Sequence, residues 1–159
     1  MGTVAKNINS LKNQVAKYKA NGHTIFMVNG CFDLFHAGHL DLLKKAKQFG
    51  DVLVVCVNSN LSIKGNKGGN RPFIDQQQRV QIVAAIQYVS WAILFDDPTP
   101  AQIIKAIAPD FIVKEAEYKT KPIAEIEAIK ASGCQLNFYT RNLDVSTSQI
   151  VGLIKAQEV

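Results

Sequence analysis

Hydrophobic residues recur along the chain in short continuous runs that alternate with stretches of helical spacing. The short runs are typical of buried strands, which we predict at 24–28, 51–57, 91–95, 111–114 and 135–139. Apolar residues three or four positions apart predict helices at 4–20, 39–49, 76–88, 100–108, 122–131 and 148–157. Thr99 is the expected N-cap of the helix at 100–108, with Pro100 at its first position.

This alternation predicts a single Rossmann-like α/β domain, with about five parallel strands and helices on both faces of the sheet. Residues 1–22 are assigned to an N-terminal helical segment packed on the domain, and residues 23–159 to the domain itself. Residues 58–75 contain Gly65, Gly68, Gly69 and Pro72 and are predicted to form a long loop. Loops of that length inside a compact domain usually carry function.

Composition narrows the class of protein. Hydrophobic residues make up 47% of the chain and charged residues 19%, which is typical of a globular domain. The net charge of +5 favours anionic ligands, and because no Lys/Arg-rich block is interleaved with aromatics, small phosphates are favoured over nucleic acid. The first 18 residues lack the apolar core of a signal peptide, and no apolar stretch has transmembrane length. We therefore expect a cytoplasmic protein without a membrane partner.

The segment from Asn29 to His39 joins the first long strand to the next helix and carries the most specific chemistry. Amides at a helix start are free and partly positive, so they attract anions. His36 and His39 are three residues apart and can point to one spot, while Gly38 lets a phosphate approach the backbone. Zinc is less favoured than an anion, because the motif offers two ligands and no third is evident. The three cysteines are far apart and indicate neither a zinc site nor disulfides.

Two motifs together resemble a known superfamily. Gly30-Cys-Phe-Asp33 followed by His36-Ala-Gly-His39 resembles the HxGH nucleotidyltransferases, and Ser146-Thr147-Ser148 before the last helix resembles their second signature. Segments at 57–59, 70–72, 79, 99–100 and 109–114 are similar to the heptose-1-phosphate adenylyltransferase branch, and the likeness covers roughly 28–154. It implies transfer of a nucleoside monophosphate, AMP from ATP, to a sugar phosphate such as heptose 1-phosphate, with release of pyrophosphate. Such a product serves lipopolysaccharide precursor biosynthesis.

The resemblance also implies roles for individual residues. His36, His39 and Lys64 are the expected catalytic residues. The expected nucleotide-binding residues are Asn29, Gly30, Cys31, Phe32, Asp33, Gly38, Arg79, Ser146, Thr147 and Ser148. The expected substrate-binding residues are Lys67, Arg71, Lys114, Glu117, Tyr118 and Arg141. Mg²⁺ is expected to be held mainly by the substrate phosphates, so no protein side chain is assigned to a metal.

One segment departs from the branch pattern and keeps other functions open. The branch usually shows Lys-Gly-Gly-Asp-Tyr where this chain reads Lys114-Glu-Ala-Glu-Tyr118. Glu115 adds bulk and negative charge, so three outcomes are open: the loop turns Glu115 outward, the acceptor differs, or activity is lost. The alternatives are a cytidylyltransferase for glycerol 3-phosphate or another polyol phosphate, and a non-catalytic nucleotide-binding module. Domains of this kind often form homodimers, although the sequence specifies no interface.

Overall fold

The computed structural model describes residues 1–67, 71–140 and 142–157. Within them, one sheet contains six strands, all paired in parallel. The strands are β1 (Thr3–Val4), β2 (Ile25–Gly30), β3 (Val52–Asn58), β4 (Trp91–Phe95), β5 (Phe111–Glu115) and β6 (Gln135–Tyr139). The predicted α/β class with a parallel sheet is confirmed. The additional strand is β1, which pairs with β4 at the sheet edge.

Seven helices connect and cover the strands within the described residues. They are α1 (Ile8–Ala20), α2 (Ala37–Ala46), α3 (Asn60–Lys67), α4 (Gln76–Ala85), α5 (Ala101–Ile107), α6 (Ile126–Ala131) and α7 (Thr147–Ala156). Short 3₁₀ turns lie at Lys47–Phe49 and Ala116–Lys119. The residues from 1 to 22 therefore supply both the edge strand β1 and the helix α1.

Two local predictions were wrong. The expected loop at 58–75 begins with the helix α3, whose Ile63 is buried and whose start is fixed by an amide-to-hydroxyl hydrogen bond from Ser62 to Ser59. Burial of one apolar side chain thus stabilises a helix that the nearby glycines disfavour. Thr99 is not the cap of α5, because Pro100 holds the N-cap position without a side-chain hydrogen bond.

The hydrophobic core lies on both faces of the sheet, because successive strand residues point to opposite sides. All seven residues of β3 are buried, as expected for a central parallel strand. One cluster joins Met27 and Val54 to α1, α5 and α6, and the other joins Phe26 and Val55 to α2 and α4. In the described ranges, no helix is long and apolar enough to cross a bilayer.

The strand order determines where a ligand can bind. From one edge to the other, the order is β1-β4-β3-β2-β5-β6. Strands β3 and β4 are added on one side of β2, and the chain then crosses the sheet so that β5 and β6 are added on the other side. The strand order therefore reverses between β2 and β5. In sheets of this kind, ligands bind outside the carboxyl ends of the strands at this reversal. Asn29 and Gly30 end β2, and Glu115 ends β5 directly beside it.

Candidate active site

The two histidines of the HxGH motif form the start of α2. His36 is the N-cap residue, and its Nδ1 accepts a hydrogen bond from the Gly38 amide at 3.1 Å. His39 Nδ1 accepts from the His36 amide at 3.4 Å. The sequence folds this way because a residue in extended conformation must cap the free amides of the first turn, and here an imidazole does so.

These hydrogen bonds determine the tautomer of both rings. A neutral imidazole has one donor and one acceptor nitrogen, and in His36 and His39 the acceptor is Nδ1. Nε2 therefore carries the proton in each ring and is the atom that can donate to a phosphate oxygen. The rings stack with their centroids 3.8 Å apart and their planes inclined by 24°. Both donors are thus oriented by the backbone before any ligand arrives.

Gly38 lies where the start of α2 meets the segment before α7. A Cβ at this position would lie 3.0 Å from Cε1 of His36, 3.1 Å from its Nδ1 and 3.1 Å from the Val145 carbonyl oxygen. The glycine therefore allows the His36 ring and the start of α7 to approach the backbone of α2.

The loop between β2 and α2 is strained. Phe32 has φ of 50° and Leu34 has φ of 46°, although neither residue is glycine. Such conformations cost on the order of 1–3 kcal/mol each and persist where the surrounding structure holds them. Phe32 is buried, and its ring lies 5.2 Å from the His39 ring and close to Gly30, where a Cβ would be 3.2 Å away. The strained loop therefore supports one side of the His39 imidazole.

The second predicted motif lies against the first. Ser146 is the N-cap of α7, and its hydroxyl accepts from the Gln149 amide at 3.2 Å. The Thr147 hydroxyl donates to the Asp33 carbonyl oxygen at 2.9 Å. Two helix N-termini, each from a ten-residue helix, therefore converge although their motifs are more than 100 residues apart. Their positive ends together favour an anion.

Two cavities open at this convergence. The larger one, of about 360 Å³, will be called the cleft; it is lined by Cys31, Phe32, Asp33, His39, Ile63, Arg71, Thr147 and Ser148. The smaller one, of about 190 Å³, will be called the side cavity; it is lined by His36, Gly38, His39, Leu42, Glu115, Tyr139, Ser146, Thr147 and Ser148. Most of the predicted phosphate-binding residues therefore lie on the walls of these two spaces.

Asp33 holds one wall of the cleft together. Its carboxylate is 4% exposed and accepts from the amides of Phe73 and Ile74 at 3.0 Å each. It also pairs with the Arg71 guanidinium at 3.3 Å, and this guanidinium packs over the Phe73 ring at 4.7 Å. Asp33 was expected to bind nucleotide; these contacts show that it fastens residues 71–74 beside the cleft. Arg71 itself lines the cleft, as expected of a substrate-binding cation.

Arg79 does not face the cleft, contrary to expectation. Its side chain is 0% exposed, and the guanidinium donates to the carbonyl oxygens of Ile74, Cys31 and Asn58 at 2.9, 2.6 and 2.7 Å and to the Asn60 side chain at 3.0 Å. Burial lowers the pKa of Arg79, and nearby negative groups partly offset the effect. Arg79 therefore ties together the loops that follow β2 and β3. The sequence shows a cation at position 79, but it does not indicate whether the guanidinium binds a ligand or backbone carbonyl oxygens.

Lys114 forms a buried network at the end of β5. Its ammonium donates to the Asn29 side-chain oxygen at 2.7 Å and forms an ion pair with Glu125, and the side chains of the pair are only 10% and 6% exposed. Asn29 and Lys114 were expected to bind ligands; in the structure they bind each other, and Lys114 also binds Glu125. Sequence reasoning missed Glu125, because it lies within a segment predicted as an ordinary surface helix.

The remaining predicted residues lie at the periphery or outside the described residues. Lys64 is exposed on α3, one position after the cleft residue Ile63. Lys67 ends α3. Glu117 and Tyr118 lie in the exposed 3₁₀ turn at Ala116–Lys119. Partial burial of the Tyr118 ring, together with neighbouring carboxylates, raises the pKa of Tyr118. Arg141 lies outside the described residues.

The described part of the chain offers no ready-made metal site. Within residues 1–67, 71–140 and 142–157, no group of three or more His, Cys, Asp or Glu side chains is placed to hold a metal ion. The carboxylate of Asp33, which lies on the cleft wall, is already bonded to two amides and to Arg71.

Comparison with known proteins places this geometry in a family. The family model described as cytidylyltransferase-like matches residues 27–152, which include both motifs and the whole convergence of α2 and α7. The chain belongs to the cytidylyltransferase-like family. The membership that the two motifs indicated is thereby confirmed.

Curated relatives match nearly all of this chain but are much longer. The bifunctional protein HldE of Nitrosococcus oceani is 39% identical over 137 residues, which is 86% of this chain and 29% of that protein. HldE of Pasteurella multocida is 39% identical over 145 residues, which is 91% of this chain and 30% of that protein. The chain thus spans about a third of the length of the curated relatives that it matches.

Solved structures agree on the fold. A lipopolysaccharide core biosynthesis protein from Thermoplasma volcanium has a TM-score of 0.62 and 29% identity, and the match covers 76% of this chain and 98% of that one. Pantoate-beta-alanine ligase from Francisella tularensis has a TM-score of 0.61, with 100% of this chain and 79% of that chain covered. At 16% identity the second likeness concerns the fold alone.

Proposed function

We propose that the chain is a nucleotidyltransferase that transfers AMP from ATP to a sugar phosphate such as heptose 1-phosphate and releases pyrophosphate. The observation that carries the proposal is the pair of stacked imidazoles, each with Nε2–H as its donor, at the point where two helix N-termini meet. Family membership and the HldE relatives support both the reaction class and a sugar phosphate as the acceptor. The cytoplasm, where ATP is available, is the compartment that fits this reaction.

The reaction needs charge stabilisation more than proton transfer. An acceptor phosphate has a second pKa of about 6, so it is already an anionic nucleophile at neutral pH. Its oxygen attacks the α-phosphorus of ATP, a new P–O bond forms, and the bond to the β-phosphate breaks so that pyrophosphate leaves with its electron pair. Mg²⁺ would be held mainly by the substrate phosphates and water, and it would neutralise part of their charge. The protein's task is to bring two anions together and to hold them in line.

The two histidines and α7 divide this task. His39 lies on the wall that is common to the cleft and the side cavity, which supports our assignment of its Nε2–H as a donor to the transferring phosphoryl group. His36 stacks on it and donates alongside. The α7 start, with Thr147 and Ser148 on the same wall, supplies donors for the β- and γ-phosphates. Because these donors are fixed by backbone hydrogen bonds, they need little reorganisation when charge develops.

A pyrophosphate-release assay tests the proposal. Wild-type protein is mixed with ATP, CTP, GTP or UTP and with heptose 1-phosphate or glycerol 3-phosphate. We expect release with ATP and heptose 1-phosphate, and a loss of about 10²–10³ in kcat for His39→Ala, since one oriented donor is removed. His23→Ala is the matched control, because His23 is an exposed histidine beside Asp51 at the opposite end of β2.

Each other outcome has a defined meaning. Release with CTP and glycerol 3-phosphate alone would replace the proposal by the cytidylyltransferase alternative. No release with any pair, while the protein still binds nucleotide, would establish a non-catalytic binding module. Near-normal kcat in His39→Ala would refute the assigned role of the imidazoles.

A further inference from the structure

Helix α7 is exposed along its length although it is rich in apolar residues. Four of its ten residues are Ile, Val or Leu, and none of the ten, which all lie in the described part of the chain, is buried. Leu153 and Ile154 are 65% and 50% exposed. A surface helix normally turns its apolar residues towards the core of its own domain. The apolar residues of α7 therefore indicate a surface that another molecule covers.

An apolar pocket of about 300 Å³ opens beside this helix. It will be called the α7 pocket, and it is lined by Leu34, Phe73, Val151, Ile154 and Lys155. Lys155 is the one charged residue among these five, whereas the wall of the cleft carries Asp33, Arg71 and His39. The α7 pocket therefore suits an apolar side chain better than it suits a phosphate.

The surface around the α7 pocket is complementary to itself. Leu153 comes directly before the pocket residue Ile154, and its exposure shows that it projects from the surface beside the pocket. When two copies are related by a two-fold axis, the same patch on each copy faces the other. Each projecting leucine can then enter the pocket of the other copy. An apolar projection next to an apolar pocket thus favours a second copy of the chain over an unrelated partner.

The charges at the two ends of α7 agree with this symmetry. The exposed Asp144 precedes the helix, and its carboxylate accepts a hydrogen bond from the Gln149 side chain at 3.3 Å. Lys155 lies in the last turn. A two-fold axis across the helix makes the two copies of α7 antiparallel, so the basic end of each lies beside the acidic end of the other. Opposite charges and opposite ends of the helix dipoles then face each other.

The α7 pocket also adjoins the candidate active site. Leu34 follows Asp33 and has φ of 46°, and the Phe73 amide donates to the Asp33 carboxylate at 3.0 Å. Two walls of the pocket therefore belong to the segments that Asp33 holds beside the cleft. Strained conformations such as that of Leu34 persist where the surrounding structure holds them. A side chain seated on Leu34 and Phe73 would add to that support.

We propose that a second copy of this chain covers the α7 pocket in a two-fold symmetric dimer, with Leu153 of each copy seated against Leu34 and Phe73 of the other. The five lining residues and Leu153 are fewer than the roughly 20–30 residues that a standard interface uses on each side. The dimer is therefore a reversible one, with a Kd on the order of 1–100 μM.

Sedimentation velocity at protein concentrations from about 1 to 300 μM tests the proposal. We expect wild-type protein to shift from monomer to dimer across this range. Leu153→Glu places a carboxylate in each apolar pocket and should raise the dimer Kd by at least about tenfold. Leu61→Glu is the matched control, because Leu61 is a 69% exposed leucine on α3, away from the pocket lining. Both variants should keep the wild-type Tm at low concentration, since both replaced side chains are exposed.

Each other outcome overturns the proposal. Wild-type protein that stays monomeric throughout would mean that the α7 pocket awaits a different occupant, such as an apolar segment of another protein. A dimer that Leu153→Glu leaves unchanged, or that Leu61→Glu weakens equally, would place the interface on another surface. Because sedimentation measures mass and not turnover, protein that fails the pyrophosphate-release assay still decides this inference.

Discussion

Gly38→Ala adds one methyl group at the point where the two motifs touch. The new Cβ would lie 3.0–3.1 Å from the His36 imidazole and 3.1 Å from the Val145 carbonyl oxygen. These separations are a few tenths of an ångström shorter than ordinary van der Waals contact, so one neighbour must move. The His36 ring is the end of a side chain and can rotate, whereas the carbonyl oxygen belongs to the backbone before α7. We therefore expect the ring to move.

The two consequences of this movement differ in size. Forcing one methyl group into a packed site costs about 1–3 kcal/mol, and the low end applies here because the ring can yield. For a domain of this length, 1 kcal/mol lowers Tm by about 2–4 °C. The rotated ring loses its 3.1 Å hydrogen bond from the Gly38 amide and its 3.8 Å stacking on His39. A donor misplaced by this much costs about 10²-fold in rate.

The assay pairs thermal unfolding with steady-state pyrophosphate release. Gly152→Ala is the matched control, because Gly152 lies inside α7 and a Cβ there would meet nothing within 4 Å. That variant should keep wild-type kcat and gain about 0.4–1 kcal/mol, since alanine restricts the unfolded chain. Gly38→Ala should lose kcat by about two orders of magnitude with a fall in Tm of only a few degrees. A kcat within about threefold of wild type would refute the reasoning, because it would mean that the His36 position is unimportant for the donor geometry.

Two further predictions concern residues outside the ligand-facing walls. Arg79→Lys cannot reproduce the four hydrogen bonds that the buried guanidinium donates, so we expect a loss of roughly 3–5 kcal/mol in urea-induced unfolding; unchanged stability with a raised KM for ATP would instead indicate a phosphate contact. Asp75 caps α4, and its hydrogen bonds, chiefly from the Gln77 amide, lower its pKa below 3.8. Its stabilising effect is therefore complete above that pH and is lost as the pH falls through the folded-state pKa. The Tm difference between wild type and Asp75→Ala should shrink on acidification below about pH 4; a constant difference would contradict the assignment.

Much of the architecture follows from local patterns. The run at 52–57 is apolar on both faces and rich in valine, which is typical of a central parallel strand, and β3 is buried throughout. The edge strand β1 could not be predicted in this way. Thr3 and Val4 are exposed and carry no alternation; they form a strand only because Trp91 and Ala92 offer a free edge far along the chain.

The charged residues of the site also differ in how far their roles can be predicted from local sequence. Arg71 and Arg79 are both cations in or after the glycine-bearing segment, and the sequence predicted a ligand contact for each. Arg71 packs beside the cleft against Asp33, whereas Arg79 is buried among carbonyl oxygens. Whether an arginine meets water or backbone depends on the packing of α3 and α4 against the strand ends, which has no local signature.

The sequence alone determined the alternation of strands and helices, and it placed two phosphate-type motifs at helix starts. These features are local, since a strand run or a capping pattern involves residues a few positions apart. Only the tertiary structure decided that Thr147 meets Asp33, that Lys114 pairs with Glu125, and that Arg79 is buried beneath the cleft. Those relations join segments that meet only when the parallel sheet reverses beside β2, because the strand order brings distant carboxyl ends to one edge.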